Sequence, residues 1–191
     1  MCASRVRRSV VAIATAGLLG FAGTGCASSD DPPEPAPLPP ESPSPTETSE
    51  NTAPTLPPEA KAKSARAAKA FARFYIDAVN FATRTGDTTQ LAKLGSDDCE
   101  SCSAIVGNID TIYSSGGSIE STGWNLDVVT LVPGQPATSP ILDLGITQSP
   151  ESVTASAGAE PEKFPGGKQP MTMYLSHDGG TWRVTQLDLV S

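Results

Sequence analysis

Apolar residues recur at three- and four-residue steps between about Glu59 and Thr85. Ala68, Phe71, Tyr75, Ala78, Val79 and Ala82 fall in phase, which predicts an amphipathic helix with an aromatic-rich buried face. Gly86 stops it. Asp87-Thr88-Thr89-Gln90 then places a capping residue ahead of a Gln at the third helical position, and predicts a short helix through Leu91 to Leu94 that closes at Gly95. A third helix is expected to open around Asp97-Asp98, to carry Ile105, Val106, Ile109, Ile112 and Tyr113 on one face, and to end at Ser114-Ser115-Gly116-Gly117.

Beyond that point the period changes. Trp124, Leu126, Val128, Thr130 and Val132 alternate with Asn125, Asp127, Val129 and Leu131, as a half-buried strand does. Ile141 to Ile146 reads as a second strand and Ser152 to Ala155 as a third, while the Gly- and Pro-rich stretch from Ser156 to Gln169 reads as a loop. Met171–Ser176 and Thr181–Val190 flank His177-Asp178-Gly179-Gly180, a hairpin whose Asp-Gly supplies the positive φ the turn needs. Trp182 and Val184 share one phase and Leu187 and Leu189 the other, so a β-bulge is expected near Thr185 and Gln186. Helices followed by an antiparallel sheet make this an α+β domain, assigned to residues 59–191.

The first 58 residues follow different rules. Arg5, Arg7 and Arg8 precede an apolar run from Ser9 to Ala22, the layout of an export signal and too short to span a bilayer. Phe21-Ala22-Gly23-Thr24-Gly25-Cys26-Ala27-Ser28-Ser29 looks like the processing site of a bacterial lipoprotein, although Gly23 stands where an aliphatic residue is usual. That likeness implies a signal peptide over 1–25 and a diacylglycerol-type anchor on Cys26, with the mature protein on the outer face of the cytoplasmic membrane. A plain secretory cut is the competing expectation, and Arg7-Arg8 leaves a twin-arginine route open. Residues 27–58 hold eleven prolines and six acidic residues without one Lys or Arg, so the 26–58 segment is expected to be a disordered stalk. Its Thr residues beside prolines make O-glycosylation conceivable.

The net charge of −8 divides into +3 for the leader, −6 for the stalk and −5 for the domain. A basic stripe interleaved with aromatics is missing, which argues against nucleic acid as a partner. Lys61, Lys63, Arg66, Lys69 and Arg73 cluster at the start of the first helix; a solvated helix face is the usual meaning of such a run, and contact with anionic lipid or wall polymer is the alternative.

Three short motifs stand in order along the domain: Ala70-Phe71-Ala72-Arg73-Phe74-Tyr75, Thr85-Gly86-Asp87-Thr88 and Cys99-Glu100-Ser101-Cys102. With the helix-then-sheet layout they make residues 65–190 resemble the cone-shaped superfamily of nuclear transport factor 2, ketosteroid isomerase and SnoaL-like proteins, and an actinobacterial family of lipoproteins of unknown function. The resemblance implies a concave pocket between helix and sheet. It implies no reaction, because that superfamily hosts enzymes and non-enzymes alike.

Cys99 and Cys102 lie one turn apart at a helix start in an oxidising compartment, which favours a structural disulfide. A thioredoxin-like dithiol is the sharper alternative, but no strand precedes the pair and Asp97, Asp98 and Glu100 disfavour a thiolate. Zinc lacks further ligands in a chain with one histidine. That histidine, His177, falls at a turn and reads as an exposed polar residue. Asp77 sits on the far side of its helix from Tyr75 and can pair with Arg73, and Asp127 and Asp143 fit the outward strand phase. Phe71, Tyr75, Trp124, Tyr174 and Trp182 are candidate pocket-lining residues, with plain core packing as the alternative.

Two functional expectations result. One is a non-catalytic binding or interaction domain, without cofactor or metal, that takes an apolar ligand or an envelope protein. The other is a small-molecule isomerase or lyase built on a carboxylate buried in the cone beside a tyrosine.

Overall fold

The computed structural model describes residues 52–190. The leader, Cys26 and the stalk as far as residue 51 lie outside the described residues.

A short 3-10 turn, Pro58–Lys61, leads into α1 (Ala65–Thr85). The single helix expected from Glu59 is therefore broken, and Ser64 is the reason: its side chain accepts the Ala67 N–H at 3.2 Å and caps α1 afresh. All six residues of the expected apolar face are buried, and so are Ala67, Ala72, Phe74, Ile76 and Phe81. The exposed residues of α1 are Ala65, Arg66, Arg73, Asp77 and Arg84, with Lys69 half-buried between Arg66 and Arg73. Gly86 ends α1 at φ +75, with its N–H on the Ala82 carbonyl. The helices α2 (Thr89–Ala92) and α3 (Glu100–Ser114) follow.

The strands are β1 (Ser118–Ser121), β2 (Trp124–Leu131), β3 (Ile141–Gln148), β4 (Glu151–Thr154), β5 (Glu162–Phe164), β6 (Gly167–Lys168), β7 (Met171–Asp178) and β8 (Thr181–Leu189). They form a larger antiparallel sheet in the order β2-β3-β7-β8, with β6 added to β3, and a smaller sheet in the order β1-β4-β5. The stretch expected to be a loop over 156–169 thus contains β5 and β6. Both are exposed and two or three residues long, too short for an alternating pattern to show. The bulge falls where the phase slip puts it: Tyr174 pairs with Gln186 and Leu175 with Val184, leaving Thr185 unpaired in the ladder. A second irregularity between Leu126 and Val128 bends β2.

The core is one cluster. Phe71, Tyr75 and Val79 of α1 pack with Leu142, Leu144 and Ile146 of β3, Met173 and Leu175 of β7, and Trp182 and Val184 of β8. Contacts begin before residue 59: Leu56 packs on this core and the Pro54 carbonyl accepts from Gln90 Nε2 at 2.9 Å.

Candidate functional site

The third helix covers the sheet incompletely. Only Cys102 and Ile109 of α3 are buried, whereas Ile105, Val106, Ile112 and Tyr113 remain half-buried. Two hollows open beneath it. One, of about 320 Å³, is lined by Ser101, Ala104, Ile105, Met171, Leu187 and Leu189 among others. The second, of about 420 Å³, is lined by Val79, Ile109, Ile112, Ile119, Val153 and Phe164 among others. Ile105, Trp124 and Gln148 border both, so the two adjoin as one mainly apolar trough. Its size is that of small-molecule sites, which bury most of their ligand in a few hundred Å³.

Each wall is fixed by a specific bond. Ser101 Oγ accepts the Leu187 N–H at 3.1 Å and ties the start of α3 to β8. The Asn80 side chain accepts the Trp124 N–H at 2.7 Å and donates to the Trp124 carbonyl at 2.9 Å. Asp188 and Glu151 are the charged residues of the lining; no Lys, Arg or His borders either hollow. The trough is therefore apolar with a negative margin.

Of the five aromatics proposed as lining, Trp124 borders these two hollows and the other four do not. Phe71, Tyr75 and Trp182 are buried in the core, and Tyr174 is half-buried on the opposite face of β7 from Met173. Large aromatic rings at helix or strand period fill a core as readily as they wall a pocket, and sequence spacing does not distinguish the two. The lining residues that were missed are Ile105, Leu187, Leu189, Ile119 and Phe164. Leu189 at 68% exposure and Phe164 at 40% are too open to belong to the core.

Asp77, Asp127 and Asp143 border neither hollow. Asp77 is exposed; partial desolvation raises its carboxyl above the usual range and the Arg73 charge works in the other direction. Asp127 and Asp143 are exposed and accept hydrogen bonds from Thr147 Oγ1 at 2.6 Å and Thr172 Oγ1 at 3.0 Å. Among the described residues no charged side chain is buried. Tyr75 is the exception in polarity: its hydroxyl is buried without a partner, and burial pushes the phenol well above its ordinary range.

His177 differs from expectation. It is half-buried in β7, with its ring edge-on to Trp182 at 4.6 Å and Nε2 3.3 Å from the Lys61 carbonyl oxygen. Trp182 Nε1 donates to the next carbonyl, Ala62, at 3.2 Å. Cys99 and Cys102 form a disulfide with an S–S distance of 2.04 Å, and Cys99 Sγ accepts the Cys102 N–H at 3.2 Å as the cap of α3. Among the described residues no group of three or more His, Cys, Asp or Glu side chains could hold a metal ion.

A long buried helix and shorter helices packed on antiparallel sheets make the α+β layout expected from the sequence, and the solved structures it is similar to include proteins with a cystatin-like fold. The intermembrane-space region of the chloroplast protein ARC6 superposes with a TM-score of 0.50 at 9% identity, over 66% of this chain and 96% of that one. An uncharacterized protein with a cystatin-like fold from Caulobacter vibrioides gives 0.42 at 14% identity, over 64% and 89%. A nuclear transport factor 2-like protein from Novosphingobium aromaticivorans gives 0.39 at 12%, over 63% and 79%. At such identities the likeness concerns the fold alone. No curated protein matches the chain in sequence. The chain belongs to a family of unknown function, DUF6318, whose model matches residues 29–188.

Proposed function

We propose that this protein is an envelope lipoprotein that displays a ligand-binding cone on a Pro-rich tether. In this reading residues 1–25 are removed on export, Cys26 carries the lipid, and the domain stands on the outer face of the cytoplasmic membrane. The observation that supports binding is the trough under α3, where apolar side chains from α3 and both sheets are left half-covered or exposed. Its chemistry selects a neutral or cationic apolar molecule: Asp188 and Glu151 disfavour an anion, and no cation in the lining would compensate one. Burying such a ligand against Ile105, Trp124 and Leu187 removes apolar surface from water, at about 25 cal/mol per Å².

Mass spectrometry of the full-length protein extracted from its host's membrane tests both halves. The denatured mass should show a chain that starts at an acylated Cys26. The native mass should exceed it by one small molecule, and the Ile105→Asp variant, folded by circular dichroism, should lose that excess. A native mass equal to the denatured one overturns ligand binding, and an unmodified N-terminus overturns the anchor.

A further inference from the structure

Two exposed arginines of α1, Arg66 and Arg73, with half-buried Lys69 between them, make a basic stripe on an acidic chain. Arg66, Lys69 and Arg73 follow one another at three- and four-residue steps and span about 10 Å along the helix. With Ala65, Ala70, Leu131 and Glu59 they border a hollow of about 490 Å³. Lys61 and Lys63, both exposed, extend the same charge back toward the start of the domain. Arg66 and Lys69 have no hydrogen bond or ion pair among the described residues, and Arg73 meets only the charge of Asp77. Glu59 and Asp77, one at either end, are the acidic groups beside the patch.

Five cations within thirteen residues of an acidic chain form a local field that the distant acidic residues do not cancel, because at physiological salt such fields decay over about 8 Å. Their place in the chain matters as much as their number. They sit where the chain enters the domain, 35 residues after Cys26 at Lys61, on the side of the sequence nearest the proposed lipid. Ala65, Ala70 and Leu131 add an apolar floor on which the stems of Arg66 and Lys69 can lie while their charged heads reach outward.

We infer that the Arg66-Lys69-Arg73 face of α1 is a docking surface for the anionic phospholipid headgroups of the membrane to which Cys26 ties the chain. The anchor raises the local concentration of the domain at the bilayer, so a weak electrostatic contact suffices. Docking would alternate with extension of the tether, and salt would shift the balance toward extension. The inference rests on the anchor proposed above.

The test is amine labelling of the full chain, purified from host membranes and reconstituted into phosphatidylcholine vesicles with or without phosphatidylglycerol, read lysine by lysine by mass spectrometry. Lys61, Lys63 and Lys69 should label about fivefold more slowly in the anionic vesicles, and high salt should abolish the difference. Lys93, Lys163 and Lys168, exposed elsewhere, should label alike in both. The double variant Arg66→Glu and Arg73→Glu, with an unchanged circular-dichroism spectrum, should lose the protection of Lys69. Equal labelling of Lys69 in both vesicles overturns docking, as does equal slowing of all six lysines. Protection that appears only with soluble polyphosphate assigns the face to an anionic polymer and overturns the lipid. Failure of the anchor has a separate sign: the chain does not float with phosphatidylcholine vesicles.

Discussion

The side chain of Asn80 pairs with the main chain of Trp124 through two hydrogen bonds, one in each direction, as a neighbouring strand would. Both bonds cross from α1 to the first residue of β2, at the edge of the larger sheet. The main chain of Trp124, which borders both hollows, is therefore held by a residue that lines neither. Asn80→Ala should lower stability by about 1–3 kcal/mol in urea unfolding, because the Trp124 N–H and carbonyl lose their partners together. Asn80→Asp keeps the acceptor and loses the donor, so it should fall between the two. Trp fluorescence should move to longer wavelength in the alanine variant.

Tyr75 carries an unpartnered hydroxyl in the core, which costs stability. Tyr75→Phe removes it with little change of shape and should leave the protein equally stable or up to about 2 kcal/mol more stable. The pH dependence has a definite sign. The folded-state pKa is raised, so the native state keeps this proton where the unfolded chain gives it up. Stability is whole below pH about 10 and falls as pH climbs above it. In the wild type one of the three tyrosines should fail to ionise until the protein unfolds, and Tyr75→Phe should flatten the alkaline loss.

The Cys99–Cys102 disulfide closes a four-residue loop, for which the loop-entropy relation gives about 2 kcal/mol. The double serine variant should lose roughly that much in urea unfolding and should still fold. Its hydrogen exchange should rise at the start of α3, where Cys99 Sγ caps the Cys102 N–H. An equal rise across the β7–β8 hairpin would contradict so local a role.

Gly86 cannot be replaced cheaply. It holds φ +75, and a Cβ there would lie 2.5 Å from Cγ of Tyr113, whose hydroxyl donates to the Thr83 carbonyl at 2.6 Å. Gly86→Ala should cost more than the roughly 1–2 kcal/mol of the left-handed conformation alone. The Tyr113→Ala background should recover part of the excess, read as a double-mutant cycle.

Some of this was legible in the sequence. Period alone located α1 and its face, the Met171–Leu189 hairpin and the bulge at Thr185, because each is long or carries a phase slip against a buried neighbour. What period did not show was how many sides of an element are covered. Phe74 and Ile76 look outward on a helical wheel, yet they are buried because α1 is wrapped on nearly every side. Ile105 and Ile112 look like core, yet they are half-open because they border the hollows beneath α3. Both properties depend on the placement of other elements. Asn80 gave no signal at all, since its partner is a main chain 44 residues away.

The two successive carbonyls of Lys61 and Ala62 are held by His177 and Trp182, from opposite arms of the last hairpin. A tug on the chain ahead of the domain consequently loads the Pro54–Gln90 bond first, and then this clasp, before any turn of α1 is strained. Past that first bond, pulling by the N-terminus meets the last hairpin before it meets α1. A stretched tether would register mechanically at the C-terminal hairpin, leaving the long helix and the trough beside it unloaded until the clasp gives way.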